Sequence, residues 1–574
     1  MWHRRCVICR FVVFVFPCKL VVPEMIPRTI VLALFACSLA NAVFAEPPLP
    51  PEGMRWVLNH ELSDEFNGTQ LDETKWIDHH PTWKGRVPGI FLPSQVSVRD
   101  GHLRIRGEKL DQEIVVKRGR GKEDVYTIAG GAVVSRHSAF LGYYECRCKA
   151  AATTMSTTFW FSGGGGIGPN GCDSYGQEWD VQECIGRQGD FSGKYFANGM
   201  HSNAHYWYTD CDGEKFDHRA EQVRFEDDEL ASADFHVYGG WWRDATRASY
   251  YYDNGEPKEQ TFYNEISETP FDTPMRMNLV SETYPFPWIE LPTDEELADP
   301  EKSVAIYDWV RAYKLVDIDS PEIMQTNPNK LPNGGFEAGD LSFWKGRNGW
   351  RDIVSDPEHV DSGKFALRMR GRTELSRRVI LKPETMYEFS CSGKVSDGSR
   401  MRCDIDRGKL FSAAFKEAKY THASGQFRTP RSGVVTIRVT GGGSQSVCYL
   451  DDFVVREVEP QPVTPSTVVD AFEERIALPG DAVVDVQAGV VRVPLVYASN
   501  QDRSIRLTLR RDEVVLKEVT WNGLAGYGNG VVEIGAGEIG AGDSAEAFGD
   551  LVVEAKFEGA DDDSSVSCGV ATGE

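Results

Sequence analysis

Gln177-Glu178-Trp179-Asp180-Val181-Gln182-Glu183-Cys184-Ile185-Gly186 is the stretch from which the rest of the chain is read. Side chains alternate across a strand, so Glu178 and Asp180 share one face while Trp179 and Val181 point the other way. In a regular strand Glu183 falls on the Trp179 face. One β-bulge near Val181-Gln182 returns it to the face of Glu178 and Asp180. Three carboxylates on one face repel one another, so folding alone does not favour them. After the bulge, Glu178 and Glu183 stand four pleat steps apart, roughly 13 Å at Cα from the rise per residue. Side chains leaning inward can close that to ~5–5.5 Å, the separation at which one carboxylate attacks an anomeric carbon while another protonates the leaving oxygen. Asp180, between them, can share a proton or hydrogen bond with Glu178 and keep the two glutamates' pKa values apart. The competing reading of the pattern alone is an ordinary acidic surface strand.

Outward from this strand, the chain shows no long helical period. Short alternating apolar runs recur between Gly, Asn and Asp punctuation, as in Tyr143–Cys148, Ser249–Tyr252, Val435–Val439 and Val490–Val496. That pattern predicts an all-β chain of sandwiches in series. Three blocks emerge: residues 46–316, 332–457 and 467–574. A polar linker with Pro321 and Pro328 fills 317–331, and the Pro-rich 458–466 is a second, stiffer linker. The last residues, Gly559–Glu574, are expected to be disordered.

The first 45 residues read as a targeting segment. The start is placed at Met25: Arg28 precedes the apolar run Ile30–Ala40, and Val43-Phe44-Ala45 suits cleavage after Ala45. An uncleaved anchor is the rival reading; with cleavage, the expected location is extracellular or periplasmic, off the membrane. The chain has 574 residues, 41% hydrophobic and 26% charged, which excludes a fully disordered or polytopic membrane protein. Its net charge of −24 repels polyanions, so no nucleic-acid partner is expected. From Pro460 onward there are eight basic and twenty acidic side chains, half of that net charge. Of the 13 cysteines, Cys6, Cys9, Cys18 and Cys37 lie in the targeting segment, and the odd number left makes at least one unpaired. Cys146 and Cys148 are expected to pack in a core, and Cys391 and Cys403, on successive predicted strands, can pair. No Cys/His spacing suits zinc, and no metal ligands are assigned.

The carboxylate stretch resembles the active-site signature of glycoside hydrolase family 16 in its bulged form. Other stretches resemble that family in its own order: Ser63-Asp64-Glu65-Phe66 with Lys75-Trp76; Gly142-Tyr143-Tyr144-Glu145-Cys146-Arg147-Cys148-Lys149-Ala150; Thr158-Phe159-Trp160-Phe161; Asp234-Phe235-His236-Val237-Tyr238; and Tyr307-Asp308-Trp309-Val310-Arg311-Ala312-Tyr313. The resemblance covers residues 55–315. It implies a concanavalin-like β-jelly-roll catalytic sandwich with a concave cleft, followed here by two further β-sandwich domains. It also implies that Glu178 is the nucleophile, Glu183 the acid/base and Asp180 the assisting residue of a retaining endo-hydrolase. No cofactor is required, and a structural calcium stays open.

Within the family, Trp83-Lys84-Gly85-Arg86-Val87-Pro88-Gly89-Ile90-Phe91 and Glu290–Asp299 resemble the β-agarases and β-porphyranases, which act on red-algal galactans. Agarose is nearly neutral and porphyran is sulfated; the acidic chain mildly favours the neutral substrate. κ-Carrageenan, laminarin, transglycosylation and a non-catalytic sugar-binding role are the alternatives. Trp83 and Arg86 suit an exposed loop that stacks a galactose face and binds its hydroxyls or sulfate. Trp160, Arg187, His201, Asn203 and His205 complete the substrate-binding candidates, the last three on one strand face. The 332–457 block resembles a carbohydrate-binding module, with Trp344 and Trp350 as stacking candidates, one of which is expected in the core. The chain is expected to act as a monomer on its polysaccharide.

Overall fold

The computed structural model describes residues 46–572, apart from 120, 254, 322–327, 397–399, 442, 444, 446, 460–470, 486, 536–549 and 560–564. The targeting segment, and with it the Met25 start and the cut after Ala45, lies outside the described residues, as does most of the second linker.

The chain is nearly all strand, with one short α-helix, Asp294–Ala298, among the described residues. Two antiparallel sheets face each other in the first block. The cleft sheet runs in the order Lys215–Arg219, Asn198–Thr209, Ser174–Ile185, Ser156–Ile167, Met275–Ser281, Glu123–Ala139, Trp76–Ile77. The outer sheet runs Lys258–Thr261, Arg247–Tyr252, His236–Trp242, Gly142–Lys149, Val304–Asp317, Met54–Leu58. Alternation sends Trp179, Phe159 and Phe161 inward to meet Tyr144, Trp242 and Tyr250 of the outer sheet. Trp179 is fully buried and its Nε1–H donates to the Tyr250 hydroxyl at 2.8 Å, satisfying the one polar atom it carries into the core. Emptying that site by Trp179→Ala would cost about 3–5 kcal/mol.

Cys146 and Cys148 are buried free thiols, consistent with core packing. The expectation that Cys391 and Cys403 pair is corrected. Both are buried free thiols on opposite sheets of the second block, filling core space where their strands face each other. Among the described residues a disulfide joins Cys172 to Cys211, whose loops lead into Ser174–Ile185 and out of Asn198–Thr209.

The second block is a sandwich of two five-stranded sheets. It sits against the cleft sheet through a bridge between Gly166 and Ser342 and a hydrogen bond from Phe343 N–H to Gly165 O at 2.5 Å. A Cβ on Gly166 would lie 2.7 Å from Ser342 Cα, so this approach requires a glycine.

The third block joins the first through a shared sheet. Its strand Gly526–Gly535 pairs with Met54–Leu58 and continues the outer sheet: Met54 opposes Asn529, Arg55 opposes Gly528 and Trp56 opposes Tyr527. Buried Arg55 donates to Ala525 O at 2.6 Å, Ser320 O at 2.6 Å and Ile318 O at 3.2 Å, tying the seam with three carbonyls. Of the expected disorder over Gly559–Glu574, residues 560–564 and 573–574 lie outside the described residues, and the part between them is corrected. Val566–Thr572 is a strand paired with Ala482–Asp485 and Leu551–Phe557, because its alternating apolar side chains complete that sheet's buried face.

Candidate active site

The carboxylate strand lies between Ser156–Ile167 and Asn198–Thr209. In register, Glu178 opposes Ser162 on one side and His205 on the other, and Asp180 opposes Trp160 and Asn203. Beyond Asp180 the pairing shifts: Gln182 opposes Phe159 and Glu183 opposes Thr158, leaving Val181 as the extra residue of a bulge. Gln182 anchors the bulge, accepting from His201 N–H at 3.0 Å through its carbonyl. The bulge places Glu178, Asp180 and Glu183 on the cleft face while Trp179 and Val181 stay in the core.

Asp180 is nearly buried, and its Oδ2 lies 3.3 Å from His205 Nε2. The other ring nitrogen of His205 contacts Asp217 Oδ1 at 2.7 Å. Burial pulls the imidazole pKa down, but Asp180, Glu178 and Asp217 together push it up to about 9. His205 is therefore held as a cation at neutral pH, and its ring nitrogen lies with carboxylate oxygens of Glu178 and Asp180 in a cluster within 4.8 Å. Burial, then the Asp180 charge, raises the Glu178 carboxyl to about 8. Burial and Asp180 likewise raise Glu183 to about 7, against a hydrogen bond from the Tyr284 hydroxyl at 2.9 Å.

Aromatic rings line one wall. Half-buried Trp83 packs edge-on against Phe91 and Trp160 at centroid distances of 5.0 and 6.3 Å, and His80 stacks on Trp160. Arg86 lies 4.9 Å from the Phe286 ring centre, and its Nε donates to Glu282 at 3.3 Å. The Trp83 ring is thus partly covered, and Arg86 reaches the cleft already paired.

The other candidates separate. Asn203 opposes Asp180, whereas His201, four residues before His205, is covered by the turn Ser192–Ala197. It stacks on Phe196 at 4.5 Å, its Nε2 lies 3.0 Å from both Tyr195 O and Asn198 O, and burial lowers its pKa to about 4. This places His201 as a neutral wall residue rather than a partner of Asp180. Arg187 is tied to Glu290 at 2.6 Å and to Glu296, which caps the short helix, so its charge is already compensated. Trp344 is fully buried against Phe336 and Phe453 and is a core residue, not a platform. Trp350 is 45% exposed, with Arg368 and Arg370 guanidinium carbons 5.0 and 4.7 Å from its ring centre.

Four site residues were not singled out from the sequence. Trp207, 41% exposed and stacked on His205 at 5.2 Å, shares the alternation of His201, Asn203 and His205, so a signal for it existed. Tyr284, Glu282 and Asp217 carry no periodic signal. They reach the site only because Ser281-Glu282-Thr283-Tyr284 and Lys215–Arg219 fold beside the carboxylate strand.

The sequence model of the family described as "Beta-porphyranase A-D, GH16 domain" matches residues 56–315. A β-porphyranase D from Zobellia galactanivorans is 64% identical over 276 residues, which is 48% of this chain and 64% of that protein. A β-porphyranase E from the same bacterium is 41% identical over 47% of this chain and 91% of its own length. The crystal structure of a β-porphyranase from the human gut bacterium Bacteroides plebeius aligns at 39% identity and a TM-score of 0.44, covering 49% of this chain and 99% of its own. On these matches the chain belongs to glycoside hydrolase family 16.

Proposed function

We propose that this protein is a secreted, retaining endo-hydrolase of red-algal galactan, with porphyran as its substrate. The observation that carries the reading is the bulged strand presenting Glu178, Asp180 and Glu183 to one cleft in a chain of this family. Porphyran is favoured over agarose because the family match and the relatives named above are all β-porphyranases. This reverses the mild preference for a neutral substrate drawn from net charge. Half of that charge lies beyond Pro460, in the third block.

In this mechanism Glu178 attacks the anomeric carbon while Glu183 gives its proton to the glycosidic oxygen. The covalent glycosyl-enzyme is then released by a water that Glu183 deprotonates. The step needs one glutamate ionised and the other protonated. Burial and Asp180 raise both carboxyls into the neutral range, so the coupled pair still holds a proton there, and the step draws on the form with that proton on Glu183. Asp180, paired with the His205 cation, orients Glu178 and opposes a second proton leaving Glu183. No cofactor enters this chemistry, and one chain carries the whole site.

Reducing-end release from porphyran, agarose, κ-carrageenan and laminarin, measured side by side, tests the reading. Release from porphyran above the other three is expected. Binding to porphyran without release would support a non-catalytic protein instead.

A further inference from the structure

Where the second block meets the cleft sheet, the two enclose a groove of about 520 Å³. Its cleft side is Ser162, Gly163, Gly165 and Gly176; Ser162 is the register partner of Glu178. A Cβ built on Gly163 would meet nothing within 4 Å, so the groove is open at that point. Its other walls carry Arg276, Lys330, Lys345, Arg377 and Arg378. Among the described lining residues there are five cations and no carboxylate.

These charges are poorly compensated. Arg377 is 5% exposed; its Nη1 donates to Pro332 O at 2.6 Å, and its remaining neighbours include the Phe343 and Trp344 rings. Arg276 donates to Ser135 O at 2.5 Å and Ile380 O at 3.0 Å, bridging the two blocks. Neither arginine forms a salt bridge with a described carboxylate. Lys330 feels Glu61 and Glu457, which lie outside the groove. Lys345 and Arg378 are exposed. Burial lowers the pKa of Arg377 to about 9, and burial with the neighbouring Arg136 charge lowers that of Arg276 to about 10. Burying a guanidinium group without a counter-ion costs stability, and an anion entering the groove would recover it.

We propose that this groove is an anion site flanking the cleft, built jointly by the catalytic and second blocks, that binds sulfate esters on the galactan chain held at Glu178. The inference rests on the galactan reading above and adds a place where sulfation is sensed. Recognition belongs to the arginine-lined seam rather than to an exposed tryptophan of the second block. The glycine run from Gly163 to Gly166 serves both purposes, leaving room beside Ser162 and letting Ser342 approach.

The test uses the full chain carrying Glu178→Gln, with and without Lys345→Ala and Arg378→Ala together. Both positions are exposed and make no salt bridge among the described residues, so the fold is not at stake. Calorimetric titration is run with a porphyran octasaccharide, an agarose octasaccharide and sodium sulfate. The expected result is porphyran affinity falling about ten-fold in the double variant, the loss of charge-assisted hydrogen bonds, with agarose affinity unchanged. Unchanged porphyran affinity, or an equal fall for both sugars, would overturn the proposal. Sulfate alone binding in a way the double variant abolishes, with porphyran unaffected, would assign the groove to a free anion and overturn it too. Failure of the galactan reading is seen separately, as no reducing-end release from porphyran by the unsubstituted chain.

Discussion

Glu178 and Glu183 have carboxyls raised from the ordinary 4.5 to about 8 and about 7, first by burial and then by Asp180. A carboxyl raised in the folded state binds more protons there than when unfolded. Folding is therefore unpenalised below the unfolded value and loses stability as pH climbs from about 4.5 to the folded value. Glu178→Gln removes that penalty. We expect the variant to lose turnover while its melting temperature at pH 8 rises, by roughly 2–4 °C per kcal/mol relieved. At pH 4 the two proteins should melt alike; thermal scans at both pH values check this, and an equal shift at both would contradict it. The same pair predicts a bell-shaped profile of kcat/KM whose two limbs lie near pH 7 and 8 and belong to the pair jointly. A plateau extending down to pH 5 would mean that the active carboxylates are not held in this state. Residues were unequally legible in the sequence. Glu178 and Asp180 follow from alternation alone. His201 and His205 look equivalent there, and only the turn Ser192–Ala197, folding over one of them, makes His201 a wall residue.

The bulge is the element that sets which face each carboxylate takes in this sequence. Across it, Trp160, Phe159 and Thr158 are consecutive partners of Asp180, Gln182 and Glu183. Deleting Val181 would therefore give a regular strand that still points Glu183 into the cleft. Deleting Val181 and Gln182 together would place Glu183 directly after Asp180 and turn it toward the core. We expect the single deletion to retain measurable hydrolysis and the double deletion to have none; hydrolysis by a folded double-deletion variant would refute the face assignment. This bulge was legible because its need was visible, three carboxylates requiring one face. The Cys172–Cys211 link was not, since its residues are 39 apart and meet only once two strands are known to be neighbours. The Cys391–Cys403 expectation failed for the complementary reason. Successive strands there belong to facing sheets, and burial rather than pairing explains both thiols.

At the scale of the molecule, the sequence divides the chain into blocks but does not reveal how the blocks join. Strand alternation reports which face is buried, and a sheet edge awaiting another strand has no such signature. The seam with the third block buries Trp56, Tyr143, Trp241 and Tyr313 against Phe472, Val496 and Tyr527. Each such side chain contributes about 1.5–3 kcal/mol on burial. A chain ending at Glu459 should therefore melt at lower temperature and bind an apolar dye or self-associate, detected by scanning calorimetry and light scattering. An unchanged melting temperature and a monodisperse monomer would show that the seam is dispensable.

The central claim is that Glu178 and Glu183 act on the galactan by double displacement. Proton NMR of the first reducing ends released from porphyran, recorded before mutarotation, tests it most directly. Attack by Glu178 on the face opposite the leaving group, followed by water entering on the face the leaving group vacated, predicts the β-anomer first from a β-linked chain. An α-anomer appearing first would contradict the account and the roles given to all three carboxylates.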